Sequence, residues 1–199
     1  MLRLVEQASR VGTPVALWSS TPCTGGSQMQ NLNIAQRGVT DGLRAHWKEF
    51  KRLFAAFVPL AHAVHSGGGL VAIEWPLRCT YWRDRRVIKL LRHLNASTAT
   101  LAACMYGLRP QSPHSSTEFI GKAWRLSASD SEFTAALDRR CDGSHKHVSV
   151  VGRETAATAF YPPQLAEAVH CALCLWAKRV RSPKRVEAQG CGTAPSVIG

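Results

Sequence analysis

The hydrophobic positions of this chain alternate between short continuous runs and stripes spaced three and four apart, the pattern of strands interleaved with helices. Residues 1–12 read as a helix or a frayed lead-in. Val15-Ala16-Leu17-Trp18 is a short buried strand, and Pro22 to Gly38 a polar loop. Thr40 or Asp41 can cap the next helix, where Leu43, Trp47, Phe50, Phe54, Phe57, Ala61 and Val64 form one apolar stripe. Pro59 is expected to bend that helix and Gly67-Gly68-Gly69 to end it. Leu70-Val71-Ala72-Ile73 then reads as a central strand, with Glu74 at its carboxyl end.

Thr80 is expected to cap a basic helix with Trp82, Ile88, Leu91 and Leu94 inward. Thr98 to Cys104 and Lys122 to Ala128 are the third and fourth strand candidates, separated by a Pro/Ser/His-rich loop from Arg109 to Thr117. A short helix over Ser131 to Leu137 and a strand over Val148 to Val151 follow. Pro162-Pro163 opens a final helix with Leu165, Val169, Leu173 and Trp176 on one face. The expected fold is a three-layer α/β domain with a mostly parallel sheet over residues 1–180, then a disordered basic tail over 181–199.

Composition narrows the function classes. The chain is 45% hydrophobic and 19% charged, which suits a globular domain. No apolar run approaches the roughly 20 residues that span a bilayer, so no membrane partner is expected. The first residues carry neither a long apolar core nor a small-residue cleavage site. Seven scattered cysteines without a signal peptide read as reduced thiols of an intracellular protein, cytoplasmic or nuclear.

The net charge is +12, and it is concentrated. Arg83, Arg85, Arg86, Lys89 and Arg92, offset by Asp84, contribute four of those charges. Lys178, Arg179, Arg181, Lys184 and Arg185 contribute five. Two basic clusters favour a polyanion such as nucleic acid, against the plainer alternative of a solvated helix face and a basic tail. Tyr81 and Trp82 beside the first cluster suit base stacking, or else serve as core anchors.

Three groups of residues carry candidate chemistry. The first is Ser20-Thr21-Pro22-Cys23-Thr24-Gly25-Gly26-Ser27, a turn of small residues at a strand end. A cysteine there can be reached by a substrate. One crossover helix would bring Glu74 to the same sheet edge, where ligands of α/β sheets bind. The second is Cys141-x3-His145-x-His147, three donors that could hold zinc if a fourth came from elsewhere, for instance Cys79, Cys104 or Cys171. Exposed histidines in a glycine-containing turn are the simpler reading, and zinc is not the expected cofactor. The third, Cys171-x2-Cys174, reads as core packing. The sequence has no GxGxxG, P-loop, HExxH or Ser-His-Asp arrangement.

A strand ending in Pro-Cys, a Ser/Gly/Gln/Asn-rich loop, a long helix and a strand ending in Glu resemble the catalytic half of cytosine-C5 DNA methyltransferases, over residues 13–107. The layout is also similar to methyltransferase-like segments of some mobile-element polyproteins of protists. The resemblance implies a Rossmann-like methyltransferase fold in which Cys23 attacks C6 of a flipped cytosine and Glu74 holds the base. Gln28, Asn31, Arg83, Arg85, Arg86 and Arg125 would contact nucleic acid. It implies S-adenosylmethionine as donor, yet the family's N-terminal cofactor half has no counterpart in the dozen residues before the first strand. Trp-Pro follows Glu74 where the family has Asn-Val. The expectation is therefore an incomplete or degenerate enzyme whose cofactor site comes from a missing segment or a second chain. The alternatives are a non-catalytic nucleic-acid-binding module and a small zinc-stabilised interaction domain.

Overall fold

The apolar runs do become strands, but they are joined in an order that the runs alone do not reveal. The computed structural model describes residues 1–110, 118–148 and 160–181. In chain order the elements are α1 (Leu2–Arg10), β1 (Ala16–Ser19), α2 (Gln28–Arg37), α3 (Asp41–Ser66), β2 (Leu70–Pro76) and α4 (Arg85–His93). They continue with β3 (Ser97–Ala102), β4 (Phe119–Ile120), β5 (Ala123–Ala128), α5 (Ser131–Leu137), β6 (His147–Val148) and α6 (Pro163–Arg181). Short 3-10 turns occupy Thr24–Gly26, Thr80–Arg83 and Ala103–Tyr106.

The main sheet has the order β1-β2-β5-β3, and β4 pairs with β6 in a small separate ladder. The expectation of a mostly parallel sheet needs correction. Only β1 and β2 pair in parallel, while β5 lies antiparallel to both β2 and β3. β1, β2 and β3 still run the same way, because β5 is inserted between β2 and β3. The fold is mixed α/β, with helices on both faces of the sheet.

Alternation along β2 shows how the two faces are built. Val71, Ile73 and Trp75 join a core with Phe50, Phe54, Phe57 and Ala61 of α3, Val5 of α1 and Val87 and Leu90 of α4. Leu70 and Ala72 join a second core with Leu126 of β5, Phe133 of α5 and Leu165 and Trp176 of α6. Each of these large apolar side chains, once buried, contributes about 1.5–3 kcal/mol. The α3 stripe lies where its spacing placed it, with Thr40 capping the helix through Oγ1. The helix runs on through Pro59, which sits on its exposed face.

Several local expectations shift. The loop from Pro22 to Gly38 contains α2, capped by Ser27. Asp84, not Thr80, caps the basic helix, so its buried positions are Val87 and Leu90, followed by Leu94. Ile88 and Leu91 are only half-buried. Cys104 falls in the turn after β3 rather than on the strand. Cys171 and Cys174 are exposed on α6 and pack no core, because the helix turns Leu165, Ala172 and Trp176 inward instead. Residues 111–117 of the Pro/Ser/His-rich loop, 149–151 of the expected strand and 182–199 of the tail lie outside the described residues. Among the described residues, no helix is long and apolar enough to cross a membrane.

Candidate functional site

Register places the Pro-Cys turn and Glu74 at one sheet edge. Ser19, the last residue of β1, sits opposite Ile73, so the chain leaves β1 beside Glu74 and Trp75. Trp75 turns to the α3 face and its Nε1–H donates to the Thr21 carbonyl at 3.0 Å and to Thr21 Oγ1 at 3.1 Å. These bonds tether the residue two before Cys23 to β2. Thr80 Oγ1 donates to the Gly26 carbonyl at 3.4 Å from the other side.

The glycines in this turn are dictated by contact. A Cβ on Gly25 would lie 2.6 Å from the Tyr81 hydroxyl, and one on Gly26 would lie 2.6 Å from Cys79 Sγ and 2.9 Å from the Tyr81 ring. Tyr81 is in turn stacked on Phe50, with centroids 3.7 Å apart. The Cys23 turn is thus seated on the aromatic core.

Glu74 points to the other face, opposite Leu126. It is 4% exposed, and burial pushes its pKa up to about 7. The Tyr161 hydroxyl donates to Oε2, and this bond and the Lys122 ammonium both oppose that rise. Among the described residues, Glu74 Oε1 and the Tyr81 hydroxyl are the two buried side-chain polar atoms without a hydrogen-bond partner. An unsatisfied buried polar atom costs about 1–3 kcal/mol, and Oε1 has hydrogen-bonding capacity that the described residues leave unused.

Cys23 is half-buried. Burial raises its thiol pKa; Lys122 lowers it and Glu74 raises it further. Lys122 itself is held below the ordinary lysine value by burial, against the pull of Cys23 and Glu74. Its Nζ stands 5.0 Å from the Trp124 ring centroid. A thiol, an ammonium and a carboxyl that perturb one another form one electrostatic unit.

Lys122 and Tyr161 were not among the sequence candidates. Lys122 reaches the site because β5 runs antiparallel, with Trp124 opposite Pro76, so that its first residues lie where β2 ends. In an all-parallel sheet it would be at the far edge. Tyr161 arrives from the segment before α6, and its ring packs edge-on against Trp124 at 5.4 Å. The only local hint was an aromatic beside Pro162-Pro163.

The remaining predicted residues divide. Arg125 does not join Cys23 and Glu74: it pairs with Trp75 in register, faces α4, and lies 4.5 Å above the Trp82 ring. Arg83, Arg85 and Arg86 are exposed, and Arg86 is bound to Asp84 at 2.7 Å. Arg85, Arg86, Lys89 and Arg92 line a shallow concavity on α4, next to a second one that Arg125 and Trp82 share with Arg92. Gln28 is exposed at the start of α2; Asn31 is on the same helix, but its side chain lies outside the described residues. Cys141, His145 and His147 converge, and Cys104 joins them from the turn after β3. Cys79 is packed under Gly26 and Cys171 lies exposed on α6.

For S-adenosylmethionine the described residues do not fit. The glycine-rich turn at the sheet edge is Gly25-Gly26, and its Cβ space is filled by Tyr81 and Cys79. Comparison with family models, curated proteins and solved structures finds no match to this chain.

Proposed function

We propose that the carboxyl edge of β1 and β2 is a base-binding site of a cytosine-C5 methyltransferase-like domain acting on nucleic acid. The observation that supports this reading best is Glu74 Oε1, buried, without a hydrogen-bond partner among the described residues and carried by a carboxyl whose pKa is about 7. Near neutral pH such a group is protonated about half the time and can donate to a ring nitrogen. Tyr161 holds Oε2, so Oε1 is the oxygen that would meet the base once the buried edge opens to admit it.

On this reading a flipped cytosine lies between Cys23 and Glu74. Cys23 loses its thiol proton to water, and the thiolate sulfur bonds to C6; the C5–C6 double-bond electrons shift to C4–C5 and the C4–N3 pair moves onto N3. Glu74 supplies a proton to N3, so C5 becomes electron-rich. Lys122 stabilises both the thiolate and the carboxylate that result, because it is attracted to both. S-adenosylmethionine finds no cradle among the described residues. A donor site would come from another segment or chain, and β1, the outer strand, has no strand paired beyond it among the described residues. Phosphates would be met by Arg85, Lys89 and Arg92, with Arg125 and Trp82 beside them.

Base holding is tested with single-stranded oligonucleotides that differ at one position, cytosine or uracil. N3 of cytosine accepts a proton, whereas N3 of uracil carries one. Wild type is expected to prefer cytosine by at least about 10-fold at pH 6.5, and Glu74→Ala to bind both equally. Affinity indifferent to the base and to Glu74, but still steeply salt-dependent, would make the domain a backbone-binding module instead.

A further inference from the structure

We propose that Cys104, Cys141, His145 and His147 form a structural zinc site that braces the segment carrying Lys122. The four donor atoms lie within 4.8 Å of one another, although they come from two turns and a strand. Cys141 Sγ is 3.7 Å from His145 Nε2 and 3.5 Å from His147 Nε2, and the two Nε2 atoms are 3.0 Å apart. A tetrahedral zinc with ordinary Zn–S and Zn–N bonds sets donors roughly 3.3–3.8 Å apart, a range that holds both Cys141–imidazole distances; on metal binding the two Nε2 atoms would part slightly and the widest pair would draw in.

The surroundings match a metal site as well. Both imidazoles present the same nitrogen, Nε2, to the sulfur. His145 Nδ1 faces Ser144 Oγ at 3.4 Å and Asp142 Oδ1 at 3.9 Å, partners that would orient the ring from behind. The Gly143 amide donates to Cys141 Sγ at 3.3 Å, as suits a thiolate. Two sulfurs and two imidazoles select zinc over the oxygen-seeking magnesium or calcium. Four protein ligands leave no open position, so the site is structural rather than catalytic.

Its place in the fold gives it a role. His147 is on β6, which pairs with β4, and β4 ends two residues before Lys122. The Ala103 amide, next to Cys104, donates to the Lys122 carbonyl at 2.8 Å. A metal joining Cys104 to His147 would clamp the chain on both sides of Lys122. The zinc site stands on its own donors and does not depend on the chemistry of Cys23.

The full chain, stripped of metal and titrated with cobalt(II), tests the proposal. Wild type should take up one equivalent and give intense tetrahedral absorption with thiolate-to-cobalt charge transfer. Cys104→Ser and His147→Ala should each weaken binding by at least about 100-fold, and Cys171→Ser should not. Should those variants fold poorly, His147→Cys keeps four ligands and should bind with charge transfer raised by about half, from two thiolates to three. Weak octahedral absorption in wild type, or equal binding by wild type and His147→Ala, would overturn the site.

Discussion

At the residue scale Glu74 is the group whose protonation ties stability to base binding. Burial raises its pKa from 4.5 to about 7 in the fold, so the folded chain holds the proton more tightly than the unfolded chain does. The stability this confers is fully present below pH 4.5 and is lost as pH rises through about 7. Glu74→Gln carries no such charge. Relative to wild type it should gain on the order of 3 kcal/mol between acid and pH 8, read by urea unfolding across pH. A difference between the two proteins that does not change with pH contradicts a raised pKa. Tyr161→Phe removes the hydroxyl that stabilises the carboxylate. The pH midpoint of cytosine-selective binding should therefore move to the alkaline side of wild type, and an acid shift would deny Tyr161 its contact with Oε2.

At the scale of elements, the prediction concerns how the Cys23 turn is seated. Gly26→Ala drives a methyl into Cys79 and Tyr81, both buried in the core. It should destabilise the protein by about 1–3 kcal/mol and abolish cytosine selectivity. Gly42→Ala, in the first turn of α3, meets nothing nearer than Thr40 Oγ1 at 3.8 Å and should be stabilising by about 0.5–1 kcal/mol. Equal effects at the two positions in urea unfolding would contradict the docked turn. The elements also show what local pattern can carry. The α3 stripe was legible because a long amphipathic helix repeats its signal over about six turns, from Leu43 to Val64. The phase of α4 was read one residue off, since Thr80–Arg83 winds as a 3-10 turn and the helix starts at Arg85, after its Asp84 cap. α2 was read as loop because Gln28–Arg37 has no apolar stripe; the Ser27 cap was its only readable mark.

At the scale of the whole molecule, strand direction matters most. Cys23 and Glu74 could be placed together from sequence, because each follows an apolar run and the two runs are joined by one helix. Lys122 and Tyr161 could not, since their positions depend on an antiparallel insertion and on the return of the chain to α6; Cys104 was one of three candidate fourth donors, and only the fold chooses it. The charge has a consequence at this scale as well. Arg85, Lys89 and Arg92 present an exposed basic face on α4. Replacing Arg85 and Lys89 together by alanine should lower the slope of log affinity for single-stranded DNA against log salt by about 1–1.5 and leave cytosine selectivity intact. An unchanged slope would place the phosphates elsewhere.

The central claim is that Cys23 and Glu74 act on one cytosine, and the most direct measurement needs no methyl donor. Reversible addition of the thiolate to C6 makes C5 basic enough to take a proton from solvent. A cytosine oligonucleotide incubated with the protein in heavy water should therefore gain deuterium at C5, read by mass spectrometry or by loss of the H5 proton signal. Exchange is expected with wild type and none with Cys23→Ala or Glu74→Gln. Tight binding of the oligonucleotide with no exchange by wild type, or exchange that persists in Cys23→Ala, would contradict the claim.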